Sequence, residues 1–162
     1  MKIHKLQIYS DNLKEQLRFY RDTLNLNITD NSDDYFEVET GYSTLRFEEK
    51  EKATAYHIAF HVPDNQHNEA LEWVKERVPV LRGNGQEIID FLDWRAKSLY
   101  FYDKDQNIIE FISRESFSKP ESALFSEKSI LGISEVGLVT ENIKEKFNFL
   151  HTKFELEKYD GD

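Results

Sequence analysis

The feature of this chain that most limits its fold is a repeat that returns 130 positions along the sequence. The segment "LQIYSDNLKEQLRFYRDTLNL", which starts at Leu6, lies without a gap on "VGLVTENIKEKFNFLHTKFEL", which starts at Val136. The apolar positions match almost throughout, and identical residues are Asn12 and Asn142, Lys14 and Lys144, Glu15 and Glu145, Phe19 and Phe149, and Leu26 and Leu156. Self-similarity of this kind marks a repeated supersecondary unit.

Each repeat begins with a strand and an amphipathic helix. Leu6 and Ile8 alternate with polar residues, which is the period of a strand with one face inward. Apolar residues then recur at helical spacing, so we predict a helix over residues 12–24. The segment "YFEVETGYSTLRFEE" alternates again around a glycine, which predicts two paired strands.

The same order of elements returns at residue 57, where "HIAFHV" alternates and predicts a strand over residues 57–62. We predict a helix over residues 66–78, and then three strands near residues 86–92, 97–102 and 107–113. The segment "DKDQN" forms the turn between the last two strands, where Asn107 is expected to be left-handed. The third copy contributes a strand near residue 135 and a helix over about 142–154.

We therefore predict an α+β protein of strand–helix–three-strand units. The expected parts are a first unit at 1–50, a second at 55–114, a polar linker at 115–130 and an incomplete third unit at 131–162. Missing residues or another subunit would complete the third unit. Unpaired strand edges invite pairing with another chain, which predicts a homodimer.

Composition excludes several classes of function. The net charge of −10 argues against nucleic acid binding, because phosphate contacts need clustered Lys and Arg. The chain has no cysteine, which excludes disulfides and thiolate metal ligands. The N-terminal residues are too polar for a signal peptide and no apolar run has membrane-spanning length, so we expect a cytoplasmic protein. The acidic charge is compatible with a small-molecule partner, including a cationic one.

His57 and His61 are four positions apart, a spacing at which two side chains of a helix can bind one metal ion. On the predicted strand, however, side chains four residues apart are about 13 Å from each other. Metal ligands lie about 2 Å from the ion, so at most one of the two histidines belongs to a given site. Glu110 is the best partner, because a carboxylate on an inner strand is costly unless it is paired or bound to a cation. The alternative is that Glu110 lies on a solvated face.

Three motifs occur in order along the chain: "DNLKEQLRFYRDTLNL", "HIAF" and "LYFYDKDQNIIEF". Together with the repeat they resemble the vicinal oxygen chelate superfamily, which includes glyoxalase I, extradiol dioxygenases, fosfomycin-resistance enzymes and bleomycin-resistance proteins. The resemblance covers roughly residues 3–114 and restarts at 131. The chain departs from the family pattern at Asn25, where glycine is common, and at Lys104 and Gln106 in the turn.

The resemblance implies paired βαβββ units that form an open, barrel-like cleft in a mixed sheet. It also implies a divalent metal (Zn, Ni, Mn or Fe) held by the first and last strands of each unit. His57 and Glu110 fall on those positions in the second unit, and Glu110, or alternatively Glu48, would double as the catalytic base. In the first unit Lys5 takes the place of the first-strand ligand, and Glu48 becomes a third ligand if it points inward.

Lys5 leaves two functions open. A metal-dependent enzyme would use the ion as a Lewis acid, as a lyase, an isomerase or a ring-cleaving dioxygenase. The two-His, one-carboxylate triad of non-haem iron dioxygenases is disfavoured by Lys5. In the alternative, Lys5 pairs with Glu110 and the protein binds or sequesters a small molecule without metal, as the bleomycin-resistance branch does.

The candidates for substrate binding are polar and aromatic residues that we expect along the cleft: Lys5, Gln7, Tyr9, Arg46, His61 and Tyr100. Tyrosine rings with polar tips suit small-molecule pockets, and arginine suits a carboxylate or phosphate. His61 is expected on the same face as His57. There it either contacts the ligand or is a hydrogen-bonded histidine without a role.

Overall fold

The first sheet is built from the N-terminal part of the chain. The computed structural model describes residues 2–115, 117–118 and 121–158. Strand β1 (Lys5–Ser10) leads into helix α1 (Leu13–Arg18), which continues as a π-helical turn over Phe19–Thr23. Strands β2 (Ile28–Asn31), β3 (Tyr35–Thr40) and β4 (Ser43–Glu49) follow, and the order in this sheet is β1-β4-β3-β2.

The second sheet has six strands in the order β10-β5-β9-β8-β6, with β7 beside β8. Its elements are β5 (His57–Val62), α2 (His67–Lys75), β6 (Val80–Leu81), β7 (Ile89–Phe91), β8 (Ala96–Tyr102), β9 (Ile108–Arg114) and β10 (Gly132–Val136). Helix α3 (Ile143–Phe154) comes last. In each sheet the first strand pairs in parallel with the last strand of the same repeat, β1 with β4 and β5 with β9. The α+β prediction is confirmed, with two mixed sheets and, in the described chain, no closed barrel.

The turn between β8 and β9 differs from the prediction in one residue. Gln106, with φ of 62°, is left-handed in place of Asn107. Asn107 is buried, and its side chain is used for hydrogen bonds. Its Oδ1 accepts from the backbone N–H of Tyr56 at 2.7 Å, and its Nδ2 donates to Asp103 Oδ2 at 2.7 Å. These two side-chain bonds fix the position of Asn107, and the left-handed conformation is adopted by the residue before it.

One hydrophobic core contains side chains of both sheets and of helices α1 and α2. The period of two explains its composition, because alternate residues of β5, Ile58, Phe60 and Val62, all point into it. Phe36 and Phe47 stack at 4.7 Å between ring centroids. Burying one such side chain stabilises a fold by roughly 1.5–3 kcal/mol, so the core is the main source of stability.

Asp103 joins the first repeat to the second inside the protein. It is 3% exposed, and its Oδ2 accepts from Gln16 Nε2 at 2.8 Å and from the hydroxyl of Tyr20 at 3.1 Å. Its Oδ1 accepts from the backbone N–H groups of Asp105 and Asn107 at 3.0 and 2.9 Å. Burial raises the pKa of Asp103. The five bonds, counting that from Asn107 Nδ2, compensate the cost of placing this carboxylate in the interior.

The start of β10 packs against the turn between β3 and β4. Gly41 has φ of +58°, and a Cβ there would lie 2.2 Å from the carbonyl oxygen of Leu131. The hydroxyl of Tyr42 donates to the carbonyl of Ile133 at 3.0 Å. These contacts hold β10 beside β5, where Val136 faces Ile58 in an antiparallel pair.

None of the helices in the described part of the chain combines the length and the apolar character that a bilayer crossing needs.

Replacing Asp103 with Ala should lower the free energy of unfolding by about 2–4 kcal/mol, because it leaves buried donors of Gln16, Tyr20 and Asn107 without an acceptor. Urea unfolding of the full chain measures this change. Asp33→Ala, on an exposed turn, is the control and should change stability by less than about 0.5 kcal/mol. Equal effects of the two substitutions would contradict the account of Asp103.

Candidate functional site

The face of the six-stranded sheet that lies opposite the core, which we call the site face, carries the candidate residues of the second repeat. Its apolar floor is a separate small cluster of Ala59, Ala96 and Ile112, packed against Phe91. Around this floor stand polar side chains that alternate with core residues along each strand: His57 and His61 on β5, Ser98 and Tyr100 on β8, and Glu110 and Arg114 on β9.

Glu110 is the centre of the site face. It is 5% exposed, which is rare for a carboxylate. Its Oε1 accepts from the hydroxyl of Ser98 at 2.6 Å, and its Oε2 lies 2.8 Å from Nε2 of His57. The alternative that Glu110 lies on a solvated face is therefore wrong.

His57 lies between Glu110 and solvent. Its side chain is 43% exposed, whereas that of Glu110 is 6% exposed. The hydrogen bond with Glu110 raises the pKa of His57, and burial acts in the opposite direction. Gly137, the residue after β10, is next to His57, and its backbone N–H donates to the carbonyl of His57 at 2.8 Å. Since Gly137 has no side chain, the imidazole is left open on that side.

A cavity of about 420 Å³ begins at His57. It is lined by Ala55, Tyr56, His57, Tyr102, Gln106, Ile108, Gly137, Leu138 and Val139. This volume is in the range of small-molecule sites, and most of the lining residues are apolar. The described chain therefore has room for a small ligand directly beside the imidazole.

Tyr100 borders the same centre. Its ring centroid is 6.1 Å from that of His57, and it faces Glu110 across β8 and β9. Burial, and then the nearby charge of Glu110, raise the pKa of Tyr100 to about 12. Its hydroxyl therefore stays protonated at neutral pH and is a hydrogen-bond donor.

His61 is on the site face, as predicted, but it is buried rather than open to a ligand. It is 6% exposed, and its ring stacks on Phe117 with centroids 3.6 Å apart. Its Nδ1 is buried without a hydrogen-bond partner among the described residues. Burial, and then the charge of Arg114, lower the pKa of His61 to about 4, so the ring is neutral at pH 7.

Glu135 on β10 was not identified by the sequence reasoning. The β-sheet register pairs Glu135 with Ala59, and Ala59 with Glu110. Glu110 pairs in turn with Tyr100, so the four residues form one row across the sheet. The Glu135 carboxylate is paired with Arg114. Its charge also raises the pKa values of His57 and Tyr100. The repeat contained the signal, because it aligns Glu135 with Lys5.

The candidates of the first repeat lie on the other sheet and bind one another. Lys5 Nζ is 2.6 Å from Glu37 Oε1, and Arg46 bonds both Glu37 at 3.0 Å and Glu48 at 2.9 Å. Gln7 Nε2 donates to Glu48 Oε2 at 2.8 Å. We call Lys5, Gln7, Glu37, Arg46 and Glu48 the ion-pair face. Tyr9 lies beside it, with Lys50 Nζ 4.3 Å from the ring centroid.

The ion-pair face corrects two expectations. Lys5 does not pair with Glu110, because it binds Glu37 of β3 in its own sheet, whereas Glu110 bonds with His57 and Ser98. Glu48 does not join His57 and Glu110 as a third metal ligand, because Arg46 and Gln7 hold it on the four-stranded sheet. Strand β5, which carries His57, lies between β9 of its own repeat and β10 of the third repeat.

The donor set can be compared with the divalent metal that the resemblance implies. Two donors that each lie about 2.1 Å from an ion at a right angle are about 3 Å apart. His57 Nε2 and Glu110 Oε2 are 2.8 Å apart, which is close to this spacing. In residues 2–115, 117–118 and 121–158, no three His, Asp or Glu side chains are grouped closely enough for a metal site. Two donors are in place, and further donors have to come from water, a ligand or a side chain that moves.

The buried, neutral state of His61 predicts a dependence of stability on pH. The folded protein resists protonation down to about pH 4, whereas the unfolded chain takes up the proton near pH 6.5. Stability is therefore lost as pH falls between these values, by about 2 kcal/mol from this group at pH 5. His61→Phe keeps an aromatic ring on Phe117 and removes the titration, so its stability should fall less than that of the wild type between pH 7 and pH 5. Parallel pH profiles from chemical unfolding would contradict this assignment.

Comparison with known proteins agrees with the geometry. The model of the Glyoxalase/Bleomycin resistance protein/Dioxygenase superfamily matches residues 2–111. A metallothiol transferase, FosB, from Staphylococcus haemolyticus is 33% identical over 108 residues, which cover 61% of this chain and 73% of FosB.

Two solved structures share the fold. Lactoylglutathione lyase from Agrobacterium tumefaciens has a TM-score of 0.56 at 18% identity, over 68% of this chain and 92% of that one. A dioxygenase candidate from Bacillus subtilis subsp. subtilis str. 168 has a TM-score of 0.72 at 17% identity and covers the whole of this chain, which spans 57% of that longer protein. The sequence repeat, the βαβββ order and these matches lead to one conclusion: the chain belongs to the glyoxalase/bleomycin resistance protein/dioxygenase superfamily.

Proposed function

We propose that the protein is an enzyme of the glyoxalase and dioxygenase type that acts on a small, oxygen-bearing molecule bound beside His57. In this proposal His57 and Glu110 hold a divalent metal. The family membership supports a small-molecule reaction, and the name of the staphylococcal relative, a metallothiol transferase, agrees with a metal-dependent one.

The observation that carries the proposal is the environment of Glu110. A carboxylate that is 5% exposed is costly unless donors or a cation compensate it. The hydroxyl of Ser98 donates to Oε1, Tyr100 also interacts with the carboxylate, and Oε2 is directed at a half-exposed imidazole. A group buried on one side and reachable on the other is typical of a functional site rather than of a structural ion pair.

The chain's own residues have separable tasks. Ser98 fixes the Glu110 carboxylate by donating to Oε1, which leaves Oε2 for His57 or an ion. Glu110 is also placed to accept a proton from a ligand on the site face. Tyr100, protonated because its pKa is about 12, donates a hydrogen bond to a ligand oxygen. A bound divalent ion supplies a Lewis acid that polarises neighbouring substrate oxygens.

The cavity beside His57 limits the ligand. Its volume of about 420 Å³ and its lining of Ile108, Leu138 and Val139 suit a small molecule with an apolar part. The polar part of such a ligand would point towards the imidazole and Glu110. The net charge of −10 disfavours a ligand with several negative charges.

A second function, metal-free binding of a small molecule, is favoured by one observation. The hydrogen bond to Glu110 raises the pKa of His57, which means that the carboxylate and a protonated imidazole stabilise each other. In that case the pair recognises a polar group of the ligand, and no reaction needs to follow. The two functions differ in a single measurable property, the metal content.

Elemental mass spectrometry of the purified, tag-free protein tests the proposal. We expect close to one divalent ion per chain after incubation with zinc, nickel, manganese or ferrous iron, and loss of that ion in the double variant His57→Ala, Glu110→Ala. Loss of both protein ligands lowers the affinity by several orders of magnitude, because each good ligand contributes several kcal/mol.

The matched control is the double variant His4→Ala, Glu48→Ala, which removes the same residue types just before β1 and on β4 and should keep the ion. A wild-type protein without metal after all four incubations would contradict the enzyme proposal and leave metal-free binding. Circular dichroism of each variant checks that loss of metal is not loss of the fold.

A further inference from the structure

Helix α3 of the third repeat carries apolar side chains that the described part of the chain leaves uncovered. None of its 12 residues is buried. Ile143 is 79% exposed and Phe154 is 57% exposed. Since an α-helix has 3.6 residues per turn, these two residues lie on one side of α3 together with Phe147 and Leu150. We call these four residues the α3 stripe.

The first repeat shows where the equivalent residues lie in a packed unit. The residues 130 positions earlier all belong to the hydrophobic core or pack against it: Leu13, Leu17, Tyr20 and Leu24. Leu13 is 7% exposed and Leu24 is 1% exposed. The same positions are apolar in α3, so the α3 stripe has the composition of a buried surface.

Helix α3 has defined ends although nothing covers its stripe. The side chain of Asn142 caps its start by accepting from the backbone N–H of Glu145 at 3.1 Å. Glu155 ends it in the left-handed conformation, with φ of 56°. Isolated helices of this length are marginal in water, and most of the stability of a helix in a protein comes from packing of its apolar face. Packing of the stripe against a partner would supply that stability.

A second copy of the chain offers few surfaces that match the α3 stripe. Its ion-pair face and its site face carry charged and polar side chains. In the groove beside α2, Leu124 is 92% exposed, but Trp73 is 7% exposed and has the guanidinium of Arg77 4.0 Å from its ring centroid. Among the described residues, the best match for a straight apolar stripe about 16 Å long is the same stripe on the second copy.

The order of residues makes the α3 stripe complementary to itself. In an antiparallel pair of helices whose two-fold axis passes between positions 148 and 149, Ile143 of one copy faces Phe154 of the other. Phe147 faces Leu150 in the same way. Each aromatic ring thus meets an aliphatic side chain. In a parallel pair, each residue would face its own equivalent.

The size of this contact corresponds to a reversible dimer. Two helices about 18 Å long bury roughly 1,000 Å² in total when they pack along their length, which is the lower limit for a specific interface. The amino groups of Lys146 and Lys153 are 5.7 and 5.6 Å from the ring centroid of Phe149, on a side of α3 away from the stripe. The contact between the stripes is therefore apolar.

We propose that the chain forms a homodimer through the α3 stripe, with the two helices antiparallel. This places the homodimer on a helix face rather than on a strand edge. It gives the third repeat a role in assembly, and it does not depend on the metal centre.

Sedimentation equilibrium of the full chain over roughly 1–300 µM tests the proposal, and the wild type should pass from monomer to dimer in this range. Ile143→Glu and Phe154→Lys should each weaken dimerisation about tenfold or more, because each places a charge against an apolar side chain. Both substitutions favour the helix, since an acidic residue in its first turn and a basic one in its last turn complement the helix dipole.

A mixture of these two variants tests the antiparallel arrangement. In the mixed dimer the unchanged Ile143 and Phe154 face each other at one end, and the two introduced charges, of opposite sign, face each other at the other end. The mixture should therefore associate about fivefold or more tightly than either variant does with itself. In a parallel pair, both ends would stay disrupted.

Leu124→Glu is the matched control, because it introduces a charge at an exposed apolar residue of the groove beside α2. It should leave dimerisation within about twofold of the wild type. Circular dichroism of each variant checks that α3 is retained. A wild type that stays monomeric over the whole range overturns the proposal. A dimer that both α3 variants leave intact, or that Leu124→Glu disrupts as strongly, also overturns it. A mixture that associates no better than its components overturns the antiparallel arrangement.

Discussion

The arrangement of the site depends on the buried carboxylate of Asp103. Through Gln16 and Tyr20 it fixes the helical segment of the first repeat, and through Asn107 it fixes the turn before β9. Asn107 in turn accepts from the backbone N–H of Tyr56, the residue before His57. One chain of hydrogen bonds therefore links the interior to the starts of β5 and β9. Those two strands carry His57 and Glu110, so the spacing of the pair is set by the core rather than by the pair itself.

The two sheets use equivalent positions of the repeat in opposite ways. The ion-pair face of the four-stranded sheet neutralises its charges internally, with Lys5 and Arg46 sharing Glu37. The site face of the six-stranded sheet puts a histidine and a carboxylate at those places and lets solvent reach the histidine. The charges of the ion-pair face are already paired with one another and are not available to a ligand. On the site face, the buried carboxylate of Glu110 has a half-exposed imidazole as its partner, which a cation or a substrate can replace. This contrast is why function is assigned to the second sheet.

The strands and the faces on which their residues lie could be predicted from the sequence, because periodicity is a local property. The alternation of residues 57–62 predicted β5 with the bounds that the structure has, and the alternation within each strand placed His57 and Glu110 off the core.

Pairing between repeats is not a local property of the sequence. Nothing in the sequence near His57 shows that β10, rather than β1, lies beside it, and so Lys5 and Glu48 were expected in a site to which they do not contribute. Glu135 was overlooked for the same reason, although the repeat alignment contained it. The left-handed residue of the turn was misassigned because Asn107 is committed to side-chain bonds with Asp103 and Tyr56.

We place the functional centre on the six-stranded sheet at His57 and Glu110. Anomalous diffraction from crystals of the full chain grown with cobalt(II) tests it most directly. We expect a single strong peak about 2.1 Å from Nε2 of His57 and about 2.1 Å from a carboxylate oxygen of Glu110. A peak at the ion-pair face instead, or none at His57 in crystals in which the ion binds elsewhere, would contradict it.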